Sequence, residues 1–395
     1  MTVPRRRFGS TEIQIPIFSC GGMRYQQSWD AVAPISPDNQ ANLEATIRRS
    51  VELGLNHIET ARGYGTSEEQ LGHVLPTFPR NDIIVQTKVG PEIKVSDFLR
   101  NFDTSMKKLK LDYVDLFALH GINNRERLIW SLKKGGCGEA ALKLKEEGRI
   151  RHLGFSTHGA CDVIVDAIDS GIFEYVNLHW YYVFQDNWPA VEAATKRDVG
   201  VFIISPSDKG GKLYAPADKF VQLCAPLSPI VFNDLFCLAR SEVHTLSVGA
   251  ARPTDFDEHL KVLPLLEEAE KHLAPILARL DAALAESLGR DWVDNWKKGL
   301  PRWEDVPGQI QVREILRLRN LVKAFGMVEY GQMRYNMLGN GDHWFPGFKA
   351  DRLDGVLDKF TKAVSNSPFA AQIPDALREA HALMAGEEKK RLGSH

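Results

Sequence analysis

Residues 113–120 read YVDLFALH, a nearly uninterrupted apolar run that ends in His120. A strand that is buried on both faces of a parallel sheet has this composition. Similar runs alternate with helical patterns between residues 18 and 267: FSCGG (18–22), NHIET (56–60), IIVQTKV (83–89), RHLGFST (151–157), YVNLHW (175–180), VGVFIIS (199–205) and HTLSVGA (244–250). Strand alternating with helix in this order, over about 250 residues, predicts a (β/α)8 TIM barrel.

Polar residues stand at or just after the ends of the second, third and fourth runs: Glu59, Tyr64, Lys88 and His120. Active sites of such barrels lie at the C-terminal ends of the strands, so we expect these side chains to converge. A free phenol titrates near pH ~10, and a neighbouring ammonium group stabilises the phenolate and lowers the phenol's pKa. With Glu59 paired to Lys88 and His120 beside the phenol, the residues predict a device that delivers a proton to a carbonyl oxygen.

The same stretches resemble the aldo-keto reductases, in which an Asp, Tyr, Lys and His tetrad stands at the ends of barrel strands. Residues 5–265 carry the resemblance, and its most specific stretch is ETARGYGTSEEQLG (59–72), similar to the family's DTAxxYGxSExxLG. TKVG (87–90), DYVDLFALHG (112–121) and HLGFSTH (152–158) follow in the family's order. The resemblance implies Tyr64 as general acid, Lys88 and Glu59 as its tuning pair, and His120 as a substrate-orienting group. It also implies a nicotinamide cofactor as the source of hydride, and Glu59 in place of the family's aspartate keeps the charge.

The resemblance further implies a cofactor site, in which Ser156, Thr157 and Asn177 bind the nicotinamide amide. The loop FIISPSDKGGKLY (202–214) is glycine-rich and basic, which suits a diphosphate, with Lys209 or Lys212 adding charge. In SVGAARPTDFDEHL (247–260), Asp255 stands where an Arg or Gln is usual; its carboxylate repels a 2′-phosphate and Arg252 offsets it, so NADP and NAD both stay open. The predicted cofactor contacts are Gly22, Met23, Ser156, Thr157, Asn177, Ser205, Lys209, Gly249, Arg252, Asp255 and Glu258.

Residues near the first and sixth runs are candidates for the substrate pocket. Trp180 belongs to an aromatic stretch that fits either a pocket wall or packing beneath the C-terminal region. Arg24 and Tyr25 are predicted to join that wall, and Arg24 favours a substrate with an acidic group. The substrate is expected to be a small-molecule carbonyl compound whose identity depends on pocket loops.

Other functions use some of the same residues. His120, His158 and His179 lie where barrel metallohydrolases place ligands, but the first and last runs supply neither a His pair nor an acid, so no metal is expected. Lys88 is a candidate Schiff-base lysine of an aldolase, although Tyr64 within its long motif argues otherwise. A regulatory subunit that binds a nicotinamide cofactor with little turnover is a further alternative.

The chain of 395 residues is longer than one barrel. We predict a barrel with an N-terminal hairpin over residues 1–265 and a helical domain over residues 266–395, because the pattern after about residue 266 is helical throughout. EYGQMRYNMLGNG (329–341) is similar to part of a ferredoxin-like module that some relatives carry. The cysteines, Cys20, Cys137, Cys161, Cys224 and Cys237, all precede that region, so no iron–sulfur cluster is expected.

The net charge and the hydropathy of the chain bear on whether it is a nucleic-acid-binding, membrane or secreted protein. A formal net charge of -2 offers no basic field for nucleic acid. No apolar run reaches the length of a membrane span, and MTVPRRRFGS lacks the apolar core of a signal peptide. Together with scattered cysteines that read as reduced thiols, these features predict a cytoplasmic protein.

Overall fold

The computed structural model describes residues 3–389, which form two compact units. The barrel unit comprises the chain up to Gly210 together with Asn233–Glu267, and the helical unit comprises Gly211–Phe232 together with the chain from Glu268 onward. The division predicted from sequence placed residues 211–232 in the barrel domain. In the structure this segment, although it lies between two barrel strands in the chain, groups with the C-terminal helices.

Within residues 3–389, eight parallel strands close into a barrel, and each strand begins and ends within two residues of the run predicted for it. The predicted (β/α)8 fold is confirmed. The last strand pairs with the first, so the sheet has no free edge. The barrel strands are β3 (Phe18–Gly21), β4 (His57–Glu59), β5 (Ile84–Val89), β6 (Val114–His120), β7 (Ile150–Ser156), β8 (Tyr175–Leu178), β9 (Gly200–Ile203) and β10 (Thr245–Val248).

An N-terminal hairpin precedes the barrel. Its strands β1 (Arg5–Arg7) and β2 (Gln14–Pro16) pair antiparallel. Phe8, between them, is fully buried and packs its ring 5.5 Å from that of Tyr175. The backbone N–H of Ser10 donates to the carbonyl of Asp198, just before β9 begins. The hairpin therefore covers the N-terminal end of the barrel and leaves the C-terminal end to the functional groups.

Helices follow the strands in the order that a (β/α)8 barrel requires. Local signals set their starts; for example, the side chain of Asn124 accepts a hydrogen bond from the backbone N–H of Arg127 and caps the helix that follows β6. The helices of this part of the chain are α1 (Pro37–Glu52), α2 (Ser67–Val74), α3 (Val95–Leu109), α4 (Arg125–Leu132), α5 (Cys137–Glu146), α6 (Cys161–Asp169), α7 (Trp188–Lys196), α8 (Asp218–Cys224), α9 (Pro229–Leu238) and α10 (Asp255–Leu260).

The helical unit has its own core. The apolar stripe of α13, which comprises Ile315, Leu316, Leu318, Leu321 and Val322, is buried, because α11, α14 and α16 pack around it. Helix α8 joins the same core, where the ring of Phe220 lies 5.6 Å from that of Phe325. The C-terminal helices are α11 (Ala269–Leu288), α12 (Arg290–Asn295), α13 (Val312–Phe325), α14 (Val328–Tyr335), α15 (Leu357–Ala363) and α16 (Ile373–Met384).

In the described part of the chain, no single helix is both long and apolar enough to cross a bilayer. The bent pair of α8 and α9, with 52° between them, meets the requirement only when the two are taken together.

Candidate active site

The alternation of side chains along the barrel strands brings the predicted catalytic residues to one place. Glu59 ends β4, Lys88 lies one residue before the end of β5, and His120 ends β6. Successive side chains of a strand point to opposite faces, so alternate residues of each strand face the inside of the barrel. Glu59, Lys88 and His120 belong to these inward-facing rows. Tyr64 lies in the loop between β4 and α2, which turns back over the same end of the barrel.

The Tyr64 hydroxyl lies near both the carboxylate of Glu59 and the ammonium group of Lys88. Tyr64 Oη is 3.4 Å from Lys88 Nζ and 3.4 Å from Glu59 Oε1. Lys88 and Glu59, which are 1% and 3% exposed, form a direct ion pair. Lys88 Nζ also donates to the carbonyl of Thr60 at 2.8 Å. The three predicted residues therefore form one contiguous group in which the acid holds the lysine beneath the phenol.

His120 completes the group on the other side of Tyr64. The two rings meet edge to face, with centroids 5.7 Å apart. Arg127 on α4 supports the end of β6, because its Nε donates to the carbonyl of Gly121 at 2.7 Å and its Nη2 to that of His120 at 3.3 Å. Trp29 packs against Tyr64 at a centroid distance of 6.3 Å. Neither Arg127 nor Trp29 was predicted from the sequence, since nothing in the local pattern shows that they approach the tetrad.

Burial dominates the electrostatics of the tetrad. Loss of water around the hydroxyl raises the pKa of Tyr64 above its usual value, and burial lowers the pKa of Lys88 well below its usual range. The shift of the Tyr64 pKa is opposite to the one expected from sequence, where the lysine charge was predicted to lower it. The structure supplies the reason: Glu59 lies in contact with Lys88 and opposes its charge, while desolvation disfavours the phenolate. Tyr64 is therefore protonated at neutral pH.

A small cleft with a cavity volume of about 30 Å³ opens beside the tetrad. Ser247, on the inner face of β10, donates to Glu59 Oε2 at 3.4 Å and was missed in the sequence analysis, although its place in the last strand run identifies its face. Asp208, which is also buried, was missed as well. The cleft is lined by Gly21, Met23, Arg24, Glu59, Tyr64, Ile204, Ser205, Ser207, Asp208, Ser247 and Gly249.

Three residues predicted to hold the nicotinamide amide lie together at the ends of β7 and β8. Ser156 pairs in register with Asn177, and both are buried. Within the part of the chain that the structure describes, neither the amide nitrogen nor the amide oxygen of Asn177 has a hydrogen-bond partner. A buried carboxamide with both ends unsatisfied fits a ligand that offers one donor and one acceptor, as a nicotinamide amide does. Thr157, by contrast, donates its hydroxyl to the carbonyl of Ile122 at 2.7 Å, which gives it a structural contact.

The loop after β9 is tightly wound. Ser205 has a positive φ of 55°, and the backbone N–H of Lys209 donates to its carbonyl at 3.0 Å. A Cβ on Gly210 would lie 1.7 Å from the carbonyl oxygen of Pro206, so only glycine fits there. Lys209 Nζ lies 2.9 Å from His158 Nδ1. The loop therefore presents Lys209 toward the barrel mouth.

The segment predicted to contact the adenosine end of the cofactor is stabilised by hydrogen bonds to the carboxylate of Asp255. Asp255, at the start of α10, accepts from the backbone N–H of Ala251 at 2.8 Å and from Arg252 Nε at 3.0 Å. Glu258 forms an ion pair with Lys261 at 2.5 Å. Asp255 and Arg252, whose charges were expected to act in opposite directions on a 2′-phosphate, thus form an ion pair. The exposed Arg252 therefore carries a partly neutralised charge.

The structure distributes the remaining predicted residues differently. Arg24 lines the cleft and donates from Nη1 to the carbonyl of Gly249 at 2.9 Å. Tyr25 is only 1% exposed, and its hydroxyl lies 2.9 Å from where a Cβ on Gly22 would stand. Trp180 is 3% exposed and stacks on Phe236 with centroids 4.9 Å apart. Of the three residues assigned to a substrate wall, Arg24 alone is among those that line the described cleft.

The histidines of the metal alternative make other ring contacts. Among the described residues, no group of three or more His, Cys, Asp and Glu side chains is placed to hold a metal ion. His120 instead packs against Tyr64, whereas His158 and His179 meet each other with ring centroids 4.5 Å apart.

Comparison with known proteins agrees with this geometry. The sequence profile of the aldo/keto reductase family matches residues 18–213. L-galactose dehydrogenase of Arabidopsis thaliana is 28% identical over 294 residues, which cover 66% of this chain and 88% of the plant protein. Aflatoxin B1 aldehyde reductase member 2 of Rattus norvegicus is 32% identical over 127 residues, which cover 30% of this chain and only 33% of the rat protein.

Solved structures share the fold. An aldo-keto reductase from Bacillus halodurans, in its holo form, aligns with a TM-score of 0.58 at 21% identity and covers 69% of this chain and 96% of its own. An aldo/keto reductase from Brucella melitensis aligns with a TM-score of 0.51 at 23% identity and covers 69% of this chain and 100% of its own. Both likenesses leave about a third of the present chain unmatched.

Proposed function

Because this chain belongs to the aldo/keto reductase family through residues 18–213, we propose that it is an NAD(P)H-dependent oxidoreductase that reduces an aldehyde or ketone to an alcohol. The observation that carries the proposal is the position of Tyr64 Oη, 3.4 Å from both Lys88 Nζ and Glu59 Oε1 at the mouth of a cleft. A protonated phenol in this place is suited to donate to a carbonyl oxygen.

The tetrad residues have separate roles in this mechanism. A nicotinamide cofactor, when bound, supplies hydride to the carbonyl carbon. Tyr64 donates its phenolic proton to the carbonyl oxygen. Lys88 then stabilises the phenolate through its N–H, and Glu59 and the carbonyl of Thr60 hold Lys88 at the required distance. His120, edge-on to the Tyr64 ring, orients the substrate carbonyl.

The residues that would hold the cofactor lie at the ends of β7 and β8 and around the cleft. Asn177 would bind the nicotinamide amide, since its carboxamide is buried and unsatisfied among the described residues. Ser156 lies beside it in register and would join the site, although its hydroxyl also accepts from the backbone N–H of Gly121 at 3.2 Å. Met23, Ser205 and Gly249 border the cleft and would contact the nicotinamide riboside. The pairing of Arg252 with Asp255 is compatible with either NADP or NAD, because a half-neutralised arginine neither demands nor repels a 2′-phosphate.

The relatives narrow the substrate class. One acts on a sugar and another on an aldehyde by name, so the substrate is a small polar carbonyl compound or the corresponding alcohol. Arg24, which lines the cleft beside Tyr64, binds a polar or acidic group of that compound. The helical unit, residues 211–232 and 268–395, forms a second compact unit in the chain's organisation, and no role in proton transfer is proposed for it.

Cofactor binding and turnover test the proposal separately. The purified full-length chain is titrated with NADPH and with NADH, and the fluorescence of the reduced nicotinamide is followed. Aldehydes, ketones and sugar lactones are then screened for oxidation of the bound cofactor. We expect binding and turnover; binding without turnover of any carbonyl compound would favour the regulatory-subunit alternative instead, and absence of both would refute the proposal.

A further inference from the structure

Two consecutive residues of α9, Asn233 and Asp234, hold two separate elements of the barrel unit. Both side chains are buried, with 2% and 1% of their surface exposed. Asn233 contacts the segment after β8 and the loop after β9, whereas Asp234 contacts α10. These two residues are called the α9 pair below. Burial of a polar side chain is costly unless its hydrogen bonds are made, so displacement of either partner element is penalised.

The helix that carries the α9 pair is anchored to the aromatic stretch after β8. Phe236 stacks on Trp180 with ring centroids 4.9 Å apart, and the thiol of Cys237 donates to the carbonyl of Trp180 at 3.5 Å. The backbone N–H of Tyr182 donates to Asn233 Oδ1 at 3.3 Å. Residues 233, 236 and 237 share one face of a helix, so these contacts act together. The stretch that was predicted to line a substrate pocket therefore supports α9.

The first residue of the α9 pair fixes the loop after β9. Asn233 Nδ2 donates to the carbonyl of Pro206 at 3.2 Å. The same nitrogen lies 3.4 Å from where a Cβ on Gly210 would stand, so the amide contacts both ends of the turn. Ser205, at the start of this turn, borders the cleft beside the tetrad. Asn233 thus holds the part of the loop to which we assign contacts with the nicotinamide riboside.

The second residue of the α9 pair fixes α10. His259 Nδ1 donates to Asp234 Oδ2 at 2.5 Å, and both side chains are buried. Asp255 begins the same short helix, so a fixed His259 also fixes the segment that we assign to the adenosine end of the cofactor. Another ion pair of α10 joins Asp257 to Arg49 at 3.4 Å, but it is about half exposed and contributes little.

We infer that Asn233 and Asp234 are positioning residues that set the distance between the two ends of the nicotinamide cofactor site. The inference rests on the proposed function for the identity of the ligand. Consecutive residues of a helix point about 100° apart, so one helix can hold two elements at once. The loop after β9 and α10 cannot move apart unless a buried hydrogen bond breaks. A ligand that binds at both ends gains affinity when the second end is already at the required distance.

Two variants remove these contacts without leaving a buried charge. Asn233→Ala deletes both contacts of the amide. The double substitution of Asp234→Leu with His259→Phe replaces the buried polar pair by apolar side chains, an exchange that is often close to neutral for stability. Asp257→Asn is the matched control, because it removes only the half-exposed ion pair between α10 and Arg49. A thermal melt shows that each variant is folded before binding is measured.

Binding of the whole cofactor is compared with binding of its halves. Dissociation constants are measured for NADH, for reduced nicotinamide mononucleotide and for 5′-AMP; if wild type prefers NADPH, then NADPH and 2′,5′-ADP replace NADH and 5′-AMP. We expect both variants to bind NADH about tenfold more weakly, equivalent to about 1.4 kcal/mol. Each half needs only one end of the site, so its affinity should change by less than about threefold. Asp257→Asn should leave all of these constants within about twofold of wild type.

The inference is overturned if either variant binds NADH as tightly as wild type, or if one half loses as much affinity as NADH. In the second case the substitution has damaged one end of the site locally, and the distance between the ends is not what the α9 pair controls. An equal loss in Asp257→Asn would also overturn it. Failure of the proposed function has a different signature: wild type itself then binds neither NADH nor NADPH, and the inference falls with it.

Discussion

Replacing Tyr64 by Phe removes one hydroxyl group and separates catalysis from stability. The two tetrad contacts of the hydroxyl are both 3.4 Å long, at the outer limit of hydrogen bonding, so their loss changes the free energy of unfolding by no more than about 1 kcal/mol. Loss of the proton donor is expected to slow carbonyl reduction by ~10² to 10⁴, equivalent to about 3–5 kcal/mol of activation free energy. Cofactor affinity should stay near its starting value.

The assay follows oxidation of the reduced cofactor with a saturating aldehyde, alongside a denaturant titration of each variant. Tyr113→Phe is the matched control, because its hydroxyl accepts from Arg151 at 2.7 Å just before β6 begins, at the opposite end of the barrel from the tetrad. Since burial raises the pKa of Tyr64, the acid form persists above the usual value of ~10, and the rate of the proton-transfer step should be flat from about pH 6 to about pH 9. Near wild-type turnover in Tyr64→Phe, or a rate that falls across that range as a single phenol deprotonates, would refute the reasoning.

Further substitutions test the electrostatics and the domain organisation. Lys88→Met breaks the buried ion pair and leaves Glu59 uncompensated, so the free energy of unfolding should fall by about 3–5 kcal/mol; addition of Glu59→Gln should restore most of the stability but not the activity. Asp255→Asn keeps an acceptor for the loop and frees the charge of Arg252, which should raise the ratio of NADPH to NADH affinity by up to about fivefold; an unchanged ratio would place this segment away from the ribose. Truncation after Glu267 removes the partners of α8 within the helical unit and should expose buried apolar surface, so the shortened chain should aggregate or melt at a lower temperature; a soluble chain with an unchanged Tm would contradict this expectation.

Local patterns were sufficient to predict the barrel and the convergence of Glu59, Tyr64 and Lys88. A buried parallel strand needs only a short apolar run, and the polar residue at its end is visible in the same run, as with His120 after YVDLFAL. Register then follows from closure of the sheet, so the convergence of Glu59 and Lys88 was predictable. The strand boundaries lie within two residues of the predicted runs.

Features that depend on distant parts of the chain were not predictable in this way. Residues 211–232 follow a barrel strand and precede another, yet their apolar side chains are covered by helices that begin after residue 267. Tyr25 and Trp180 have the composition of a pocket wall, but their burial depends on neighbours that sequence spacing does not reveal. Lys209 was assigned to a diphosphate from its glycine-rich loop, whereas its two histidine partners come from other strands.

The direction of the Tyr64 pKa shift shows how burial changes the chemistry of a motif. From the sequence alone, a lysine near a tyrosine predicts a lowered pKa of the phenol, because only the attraction between ammonium and phenolate is considered. In the folded chain the same lysine is paired with Glu59, and the hydroxyl has lost its water, so the neutral phenol is the favoured form. A phenol that keeps its proton in the resting site can donate that proton to the carbonyl oxygen during reduction. Charge develops on its oxygen only as the proton leaves, and at that moment the nearby ammonium stabilises it most, since little water remains to screen the interaction.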